Sequence, residues 1–286
     1  MNLKSVASTL ETICFGKVNL LLLITNLCNS RCTICNHWSN PNKANLSVSV
    51  IEKLLESKLV NKNGILLEGG EPLLHPQIKE ILYLLKGLDY KILSNGLLPR
   101  ILETLVTDFE IPSVGVSLDG TRETYRRIRG VDGYPQVIET INRLRDETNV
   151  SVCFTISPYN TFDDYLHVRD ICIENGVDLL LNIYCESEFS GKLLDNLIDP
   201  RYEKLTNKYV SKYNSWVKGK IKRNCFGMRY NCNVFPDGNV VLCQAKPNVI
   251  LGNLYTQSID EIWKNKKLPY CNDCWLACNR YLEAKL

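Results

Sequence analysis

The sequence predicts a parallel α/β domain followed by a small cysteine-rich unit. Two observations carry this prediction. Short aliphatic runs alternate with amphipathic helical patterns up to about residue 185, and six of the 13 cysteines lie from residue 225 onward. Strands that alternate with helices indicate a parallel sheet with helical crossovers. Six strands are too few for a closed eight-stranded barrel, so we expect a partial barrel or an open sheet.

Six apolar runs are predicted to be buried parallel strands, because each is short and aliphatic and precedes polar or turn-forming residues. They span residues 19–25, 64–68, 90–94, 113–118, 150–157 and 178–185. Helices are predicted where apolar residues recur at helical spacing. These segments span residues 48–59, 78–88, 134–147 and 162–175, and residues 199–218 are expected to form a bridging helix.

The composition excludes several classes of protein. The net charge of +3 is too small for a protein that coats nucleic acid. The longest purely aliphatic run, residues 20–24, is far shorter than the ~20 residues that cross a bilayer. Lys4, Glu11 and Lys17 interrupt any secretory signal. An odd number of cysteines without a secretion signal favours thiolate ligands in the cytoplasm over a disulfide framework.

The first cysteine group, Cys28-x3-Cys32-x2-Cys35, directly follows the first predicted strand. Loops at the carboxyl ends of barrel strands build active sites. Three thiolates so placed can hold an iron–sulfur cluster and leave one of its four irons without a protein ligand, as in catalytic metal sites. Zinc is the alternative, with His37 as a fourth ligand. However, Cys35 and His37 are only two residues apart, which makes that geometry awkward.

This spacing resembles the signature of the radical S-adenosylmethionine (SAM) superfamily. Three further motifs, each at the end of a predicted strand, extend the resemblance over residues 20–286: Glu68-Gly69-Gly70-Glu71-Pro72, Ser94-Asn95-Gly96 and Ser117-Leu118-Asp119-Gly120. The resemblance implies a partial (β/α)6 TIM barrel and a [4Fe–4S] cluster that binds SAM through its open iron. It also implies reductive cleavage of SAM to a 5′-deoxyadenosyl radical, which abstracts a hydrogen atom from the substrate.

The resemblance also assigns residues to the SAM site. Gly69 and Gly70 let the backbone approach the methionine amino group, and Glu71 orients that group. Arg129 pairs with the SAM carboxylate, although Tyr125-Arg126 stands where the family often has His-Asp. The predicted SAM-binding residues are Gly69, Gly70, Glu71, Ser94, Asn95, Ser117, Asp119 and Arg129.

The second cysteine group is predicted to bind metal around a β-hairpin whose turn is Pro236-Asp237-Gly238-Asn239. Its members are Cys225, Cys232, Cys243, Cys271, Cys274 and Cys278. A zinc ribbon is the alternative. The pattern resembles the SPASM extension of radical SAM enzymes, or its shorter form, twitch. That resemblance implies one auxiliary [4Fe–4S] cluster with four ligands, Cys225, Cys243, Cys271 and Cys274. Cys232 or Cys278 can replace one of them.

The chain is expected to divide into a radical SAM barrel (1–198), a bridging helix (199–224) and the auxiliary domain (225–286). Four residues are candidates for the chemistry on the substrate: Cys185, Cys232, Glu186 and Glu188. A free thiol, with Cys278 as a further candidate, would return a hydrogen atom and make the enzyme an epimerase. A glutamate near the barrel mouth would act as the base in a dehydrogenase.

We expect oxidation or epimerisation of a small polar molecule such as a sugar or aminocyclitol. Only 27 residues precede Cys28, which leaves no room for a peptide-recognition domain. A ribosomal peptide-modifying enzyme (RiPP maturase) is the alternative. A zinc-ribbon scaffold or an iron–sulfur electron carrier is the non-enzymatic one, and the glycine-rich and strand-end motifs count against it. A flavodoxin- or ferredoxin-type electron donor is implied, with neither nucleic acid nor membrane as a partner.

Overall fold

The computed structural model describes residues 16–184, 199, 201–202, 209–221 and 228–268. The strands are β1 (Val18–Leu23), β2 (Val60–Glu68), β3 (Tyr90–Ser94), β4 (Ser113–Ser117), β5 (Asn149–Ile156), β6 (Asp178–Ile183), β7 (Asn231–Val234), β8 (Asn239–Cys243) and β9 (Lys246–Asn253). The helices are α1 (Val48–Glu56), α2 (Ile78–Leu85), α3 (Pro99–Phe109), α4 (Arg122–Arg129), α5 (Tyr134–Leu144), α6 (Phe162–Asn175), α7 (Tyr209–Val217) and α8 (Ile259–Asn265). Two short 3-10 turns span His37–Ser39 and Pro72–Leu74.

The predicted α/β class is confirmed. Strands β1 to β6 are parallel and pair in chain order, with helices as crossovers. Strand β2 begins at Val60 rather than at Gly64, because Val60 pairs with Val18 beyond an irregularity in the register. The sequence analysis did not predict α3, and it placed only Arg126 and Arg127 of α4 on a solvated helix face. The arginines of α4 make the helical spacing of its few apolar residues hard to recognise in the sequence, although Tyr125 and Ile128 are fully buried.

The two faces of the parallel sheet differ. On β1, Leu20 and Leu22 belong to the main hydrophobic core with Leu67 of β2 and the packed helices. Side chains alternate along a strand, so Leu23 and its β2 partner Glu68 lie on the opposite face. In a barrel-like sheet this is the inner face, and its carboxyl-end rim is where active sites form.

The predicted hairpin is confirmed, and it continues the same sheet. Strand β7 runs parallel to β1, while β8 and β9 add antiparallel strands beyond it. A row of amides crosses the junction. Asn61 donates to Asn19 Oδ1 at 3.0 Å, and Asn19 donates to Asn231 Oδ1 at 3.2 Å. Since buried amides need partners, this row favours one register for β7.

Two remaining expectations concern helices. Helix α7 falls within the predicted bridging segment 199–218, most of whose first ten residues lie outside the described ranges. Among the described helices, none has both the length and the apolar composition that crossing a membrane requires. The predicted division of the chain into three segments stays a prediction.

Candidate functional site

The loop that carries the first cysteines is fastened to the glycine-rich motif after β2. Gly70 N donates to Thr25 O at 2.8 Å, and Glu71 N donates to Leu27 O at 2.7 Å. A Cβ on Gly69 would lie 2.6 Å from Thr25 O, and one on Gly70 would overlap Leu27 O. Both glycines are therefore required for the approach of this turn to the cysteine loop. Their predicted contact with SAM stays a prediction.

The far side of the cysteine loop is held by the carboxyl end of α4. Arg31 N donates to Arg129 O at 2.9 Å, and Thr33 N donates to Ile128 O at 2.8 Å. The indole of Trp38 donates to Cys32 O at 3.1 Å. These hydrogen bonds fix the backbone of the loop from two directions, so its thiols occupy defined positions beside the rim of the sheet.

The donor chemistry of this loop fits an iron–sulfur cluster. Cys28, Cys32 and Cys35 are free thiols, and Cys32 is buried. Burial raises the pKa of Cys28, and it raises the pKa of Cys35 to about 11, so cationic iron would favour the thiolate form of these two side chains. Within the described ranges, no three Cys, His, Asp or Glu side chains are grouped as ligands of a single metal ion.

Hydrogen bonds of Glu71 connect the glycine-rich motif after β2 to the Ser94-Asn95-Gly96 motif after β3. Its fully buried carboxylate accepts from Ser94 Oγ at 2.9 Å, Asn95 N at 2.8 Å and Leu73 N at 3.3 Å. Burial raises the pKa of Glu71 to about 7, and the hydrogen bonds oppose that rise. The observed partners of both carboxylate oxygens are protein groups. The predicted contact of Glu71 with the SAM amino group stays a prediction.

The side chain of Asn95 forms hydrogen bonds with the cysteine loop. Its Nδ2 donates to Asn29 Oδ1 at 2.6 Å and to Ser30 Oγ at 3.3 Å. Its Oδ1 accepts from Leu97 N at 3.0 Å. The structure therefore brings Ser94 and Asn95 next to the cysteines, as a shared site requires.

Asp119 and Arg129 form a buried ion pair. Arg129 Nε donates to Asp119 Oδ2 at 2.7 Å, and the other Asp119 oxygen accepts from Thr155 N at 2.9 Å. Another guanidinium nitrogen of Arg129, Nη1, lies 3.9 Å from Cys32 Sγ. Asp119 thus orients Arg129 toward the cysteine loop. Ser117 ends β4 at the same rim.

The described C-terminal cysteines lie in different surroundings. Cys243 is buried at the end of β8. Cys232 lies on β7 within the hydrophobic core beside its partner Leu20, and burial raises the pKa of its thiol to about 12. That position does not support direct transfer of a hydrogen atom to a substrate. Seven further candidates fall outside the described residues: Cys185, Glu186, Glu188, Cys225, Cys271, Cys274 and Cys278.

A contact that the sequence did not predict links the two halves of the site. Glu68 Oε1 accepts a hydrogen bond from Gln244 Nε2, across 176 positions of the sequence. Glu68 directly precedes the two glycines, and Gln244 directly follows Cys243. The membership of Glu68 in the glycine-rich motif and the position of Gln244 after a predicted ligand are the sequence signals that could have singled them out.

These features, a rim of cysteines and glycine-rich turns on a parallel barrel, define a class of enzyme that comparison with known families identifies. The profile of the radical SAM superfamily matches residues 22–172, which is more than half of the chain. The profile of the SPASM iron–sulfur cluster-binding domain matches residues 225–275. The chain belongs to the radical SAM superfamily and carries a C-terminal SPASM domain.

Individual relatives are more distant. A probable GTP 3′,8-cyclase of Saccharolobus islandicus is 29% identical over 232 residues, covering 78% of this chain and 72% of the relative. Streptococcus suis SuiB bound to S-adenosylmethionine superposes with a TM-score of 0.72 at 15% identity, over 93% of this chain and 70% of SuiB. The anSMEcpe structure with bound AdoMet and Kp18Cys peptide has a TM-score of 0.63 at 18% identity, over 87% and 80%. At these identities, likeness to the solved structures is likeness of fold.

Proposed function

We propose that this protein is a radical SAM enzyme that abstracts a hydrogen atom from a peptide and oxidises it. One observation carries the choice of a peptide. The fold matches, over 91% of the chain and with a TM-score of 0.71, a structure of SuiB bound to precursor peptide SuiA. The anSMEcpe structure also holds a peptide. The expected sugar or aminocyclitol substrate rested on the short segment before Cys28, and the comparisons favour the peptide alternative.

The residues of the rim support this chemistry. When bound, the cluster and SAM supply a 5′-deoxyadenosyl radical. Cys28, Cys32 and Cys35 would hold the cluster, and Arg129, oriented by Asp119, would bind the SAM carboxylate. The hydrogen bonds that fix the cysteine loop keep these groups in place before SAM arrives, which lowers the cost of ordering them in the reaction.

The SPASM domain supplies an electron acceptor in this proposal. Its ligands would be Cys225, Cys243, Cys271 and Cys274, around one auxiliary [4Fe–4S] cluster. The burial of Cys232 in the hydrophobic core supports leaving it out of that set. Reduction of the first cluster would come from a flavodoxin- or ferredoxin-type donor.

A nucleotide is the second candidate substrate. The relatives named as GTP 3′,8-cyclases align with most of the chain at 29% identity, which favours a phosphorylated small molecule. This candidate differs from a peptide in charge and size, so one experiment separates the two.

The test is transfer of deuterium. Anaerobically reconstituted protein is incubated with SAM and dithionite, together with either of two probes. One is a set of synthetic peptides deuterated at Cα and Cβ of Ser, Thr or Cys, and the other is GTP deuterated in the ribose. We expect deuterated 5′-deoxyadenosine from a peptide and none from the Cys32→Ala control. Deuterium from GTP alone would exclude the peptide, and no 5′-deoxyadenosine from iron-loaded protein would exclude radical SAM activity.

A further inference from the structure

Glu68 is a carboxylate that none of the predicted roles uses, and it lies at the rim where the proposed function places the substrate. It is the last residue of β2 and pairs with Leu23 at the end of β1. Because Leu67 packs into the core, Glu68 lies on the inner face of the sheet. It keeps partial solvent exposure, whereas Glu71 is fully buried.

The neighbours of Glu68 connect it to the cysteine loop and to the residue that follows Cys243. On its carboxyl side is Gly69, whose turn is fastened to the cysteine loop. Across the rim is Gln244, the residue after Cys243, whose amide donates to Glu68 Oε1. Among the described residues, no hydrogen bond to the second carboxylate oxygen occurs, and no basic side chain forms an ion pair with Glu68 within 4.0 Å. Within the described residues, one oxygen is held by Gln244 and the other has no hydrogen-bond partner.

The electrostatic environment suits a proton acceptor. Burial raises the pKa of Glu68 to about 7, and the hydrogen bond from Gln244 opposes that rise. In the described part of the chain, no charged group contributes to this shift. When the pKa of a carboxyl group lies near the working pH, a large fraction of it is ionised and the carboxylate is still basic enough to accept a proton.

We propose that the Glu68 carboxylate, held by Gln244, accepts the proton that the substrate loses during oxidation at the barrel rim. This inference rests on the proposed function. A substrate carbon bearing an O–H, N–H or S–H group loses a hydrogen atom to the 5′-deoxyadenosyl radical, which becomes 5′-deoxyadenosine. The heteroatom gives its proton to Glu68, and the iron–sulfur centre of the SPASM domain accepts the remaining electron. A carbon–heteroatom double bond forms, and the substrate has lost two electrons and two protons.

The first test needs no substrate. Infrared difference spectra of the SAM-free protein are recorded across neutral pH for the wild type, Glu68→Gln and the control Glu52→Gln, a change at an exposed position of α1. We expect the carboxyl band of Glu68 to titrate near pH 7 in the wild type and the control, and to be missing only from Glu68→Gln. Glu71 supplies a second band that all three proteins share. Identical spectra would overturn the proposal.

The second test separates hydrogen abstraction from proton transfer, with the deuterated Ser, Thr and Cys peptides as probes. We expect Glu68→Gln to keep deuterium transfer to 5′-deoxyadenosine within about threefold, while oxidised peptide falls by about 100-fold or more. Wild-type oxidation should rise with pH through about 7, where Glu68 ionises. Wild-type yields of oxidised peptide from Glu68→Gln would refute the role of Glu68 and leave the proposed function standing.

The glutamates predicted from the sequence provide a competing assignment. If Glu186→Gln or Glu188→Gln abolishes oxidation while Glu68→Gln does not, the base lies on the segment after β6 and the proposal is wrong. If deuterium transfer fails with every peptide in the wild type, the proposed function is what fails. The infrared result then still decides whether Glu68 titrates as a poised base.

Discussion

Replacing Gly70 by alanine tests whether the glycine-rich motif is needed for packing as well as for SAM. The new Cβ would lie 2.7 Å from the carbonyl carbon of Leu27 and 3.1 Å from that of Asn26. Both are backbone atoms that no side-chain rotation can move. Overpacking of this kind costs about 1–3 kcal/mol. Loss of the hydrogen bonds from Gly70 N and Glu71 N would add about 1 kcal/mol each. We expect the free energy of unfolding to fall by about 3–5 kcal/mol.

The assay is urea unfolding of the cluster-free protein, followed by iron content after reconstitution. Gly87→Ala is the control, because a Cβ there meets nothing within 4 Å and only its φ of +83° opposes the change. That conformation costs alanine about 1 kcal/mol. Gly70→Ala should also bind less iron, since displacing Leu27 moves Cys28. Equal stability and iron content in the two variants would refute the packing argument.

Three further changes probe the ion pair, the buried carboxylate and the auxiliary domain. Asp119→Ala should cost about 3 kcal/mol in urea unfolding because it leaves Arg129 buried and unpaired. Asp132→Ala, in an exposed pair, should cost much less, and equal costs would contradict this. Burial raises the pKa of Glu71 in the folded protein to about 7 from 4.5, so the stability of the wild type should fall as pH rises from about 4.5 to 7. Glu71→Gln should make the decrease of stability with pH smaller, and an unchanged pH dependence would contradict this prediction. Cys243→Ala should lower the iron content from about eight to about four per chain, and unaltered iron would exclude it as a ligand.

Local patterns in the sequence were enough to predict the barrel. The runs at β3 and β5 are aliphatic and bounded by polar residues, so burial alone dictates them, and both were predicted to within one residue at each end. The addition of β7 beside β1 was not predictable in this way. It depends on pairing between Asn19 and Asn231, 212 residues apart, and no local pattern encodes such a contact.

The sequence indicated which residues lie together at this rim, but it did not indicate which groups their side chains contact. The motif residues do meet at one rim, because strands of a parallel sheet end at the same edge. What each polar group contacts depends on packing at the level of single atoms. The Glu71 carboxylate, for example, contacts Ser94 and Asn95, partners that the sequence did not predict. Sequence spacing shows which residues converge, whereas the direction of a side chain requires the three-dimensional structure.

The motifs form a closed circuit of hydrogen bonds, and this has a consequence for catalysis. The backbone of the cysteine loop binds Gly70 and Glu71, the Glu71 carboxylate binds Ser94 and Asn95, and the Asn95 amide returns to that loop. In a closed circuit, displacing one member moves the rest, so motifs that look independent in the sequence act as one unit. Glu68 lies two residues before Gly70, outside this circuit, and its side chain contacts Gln244. A carboxylate anchored in this way is preorganised between the radical-generating site and the SPASM domain, which is the location that accepting a substrate proton requires.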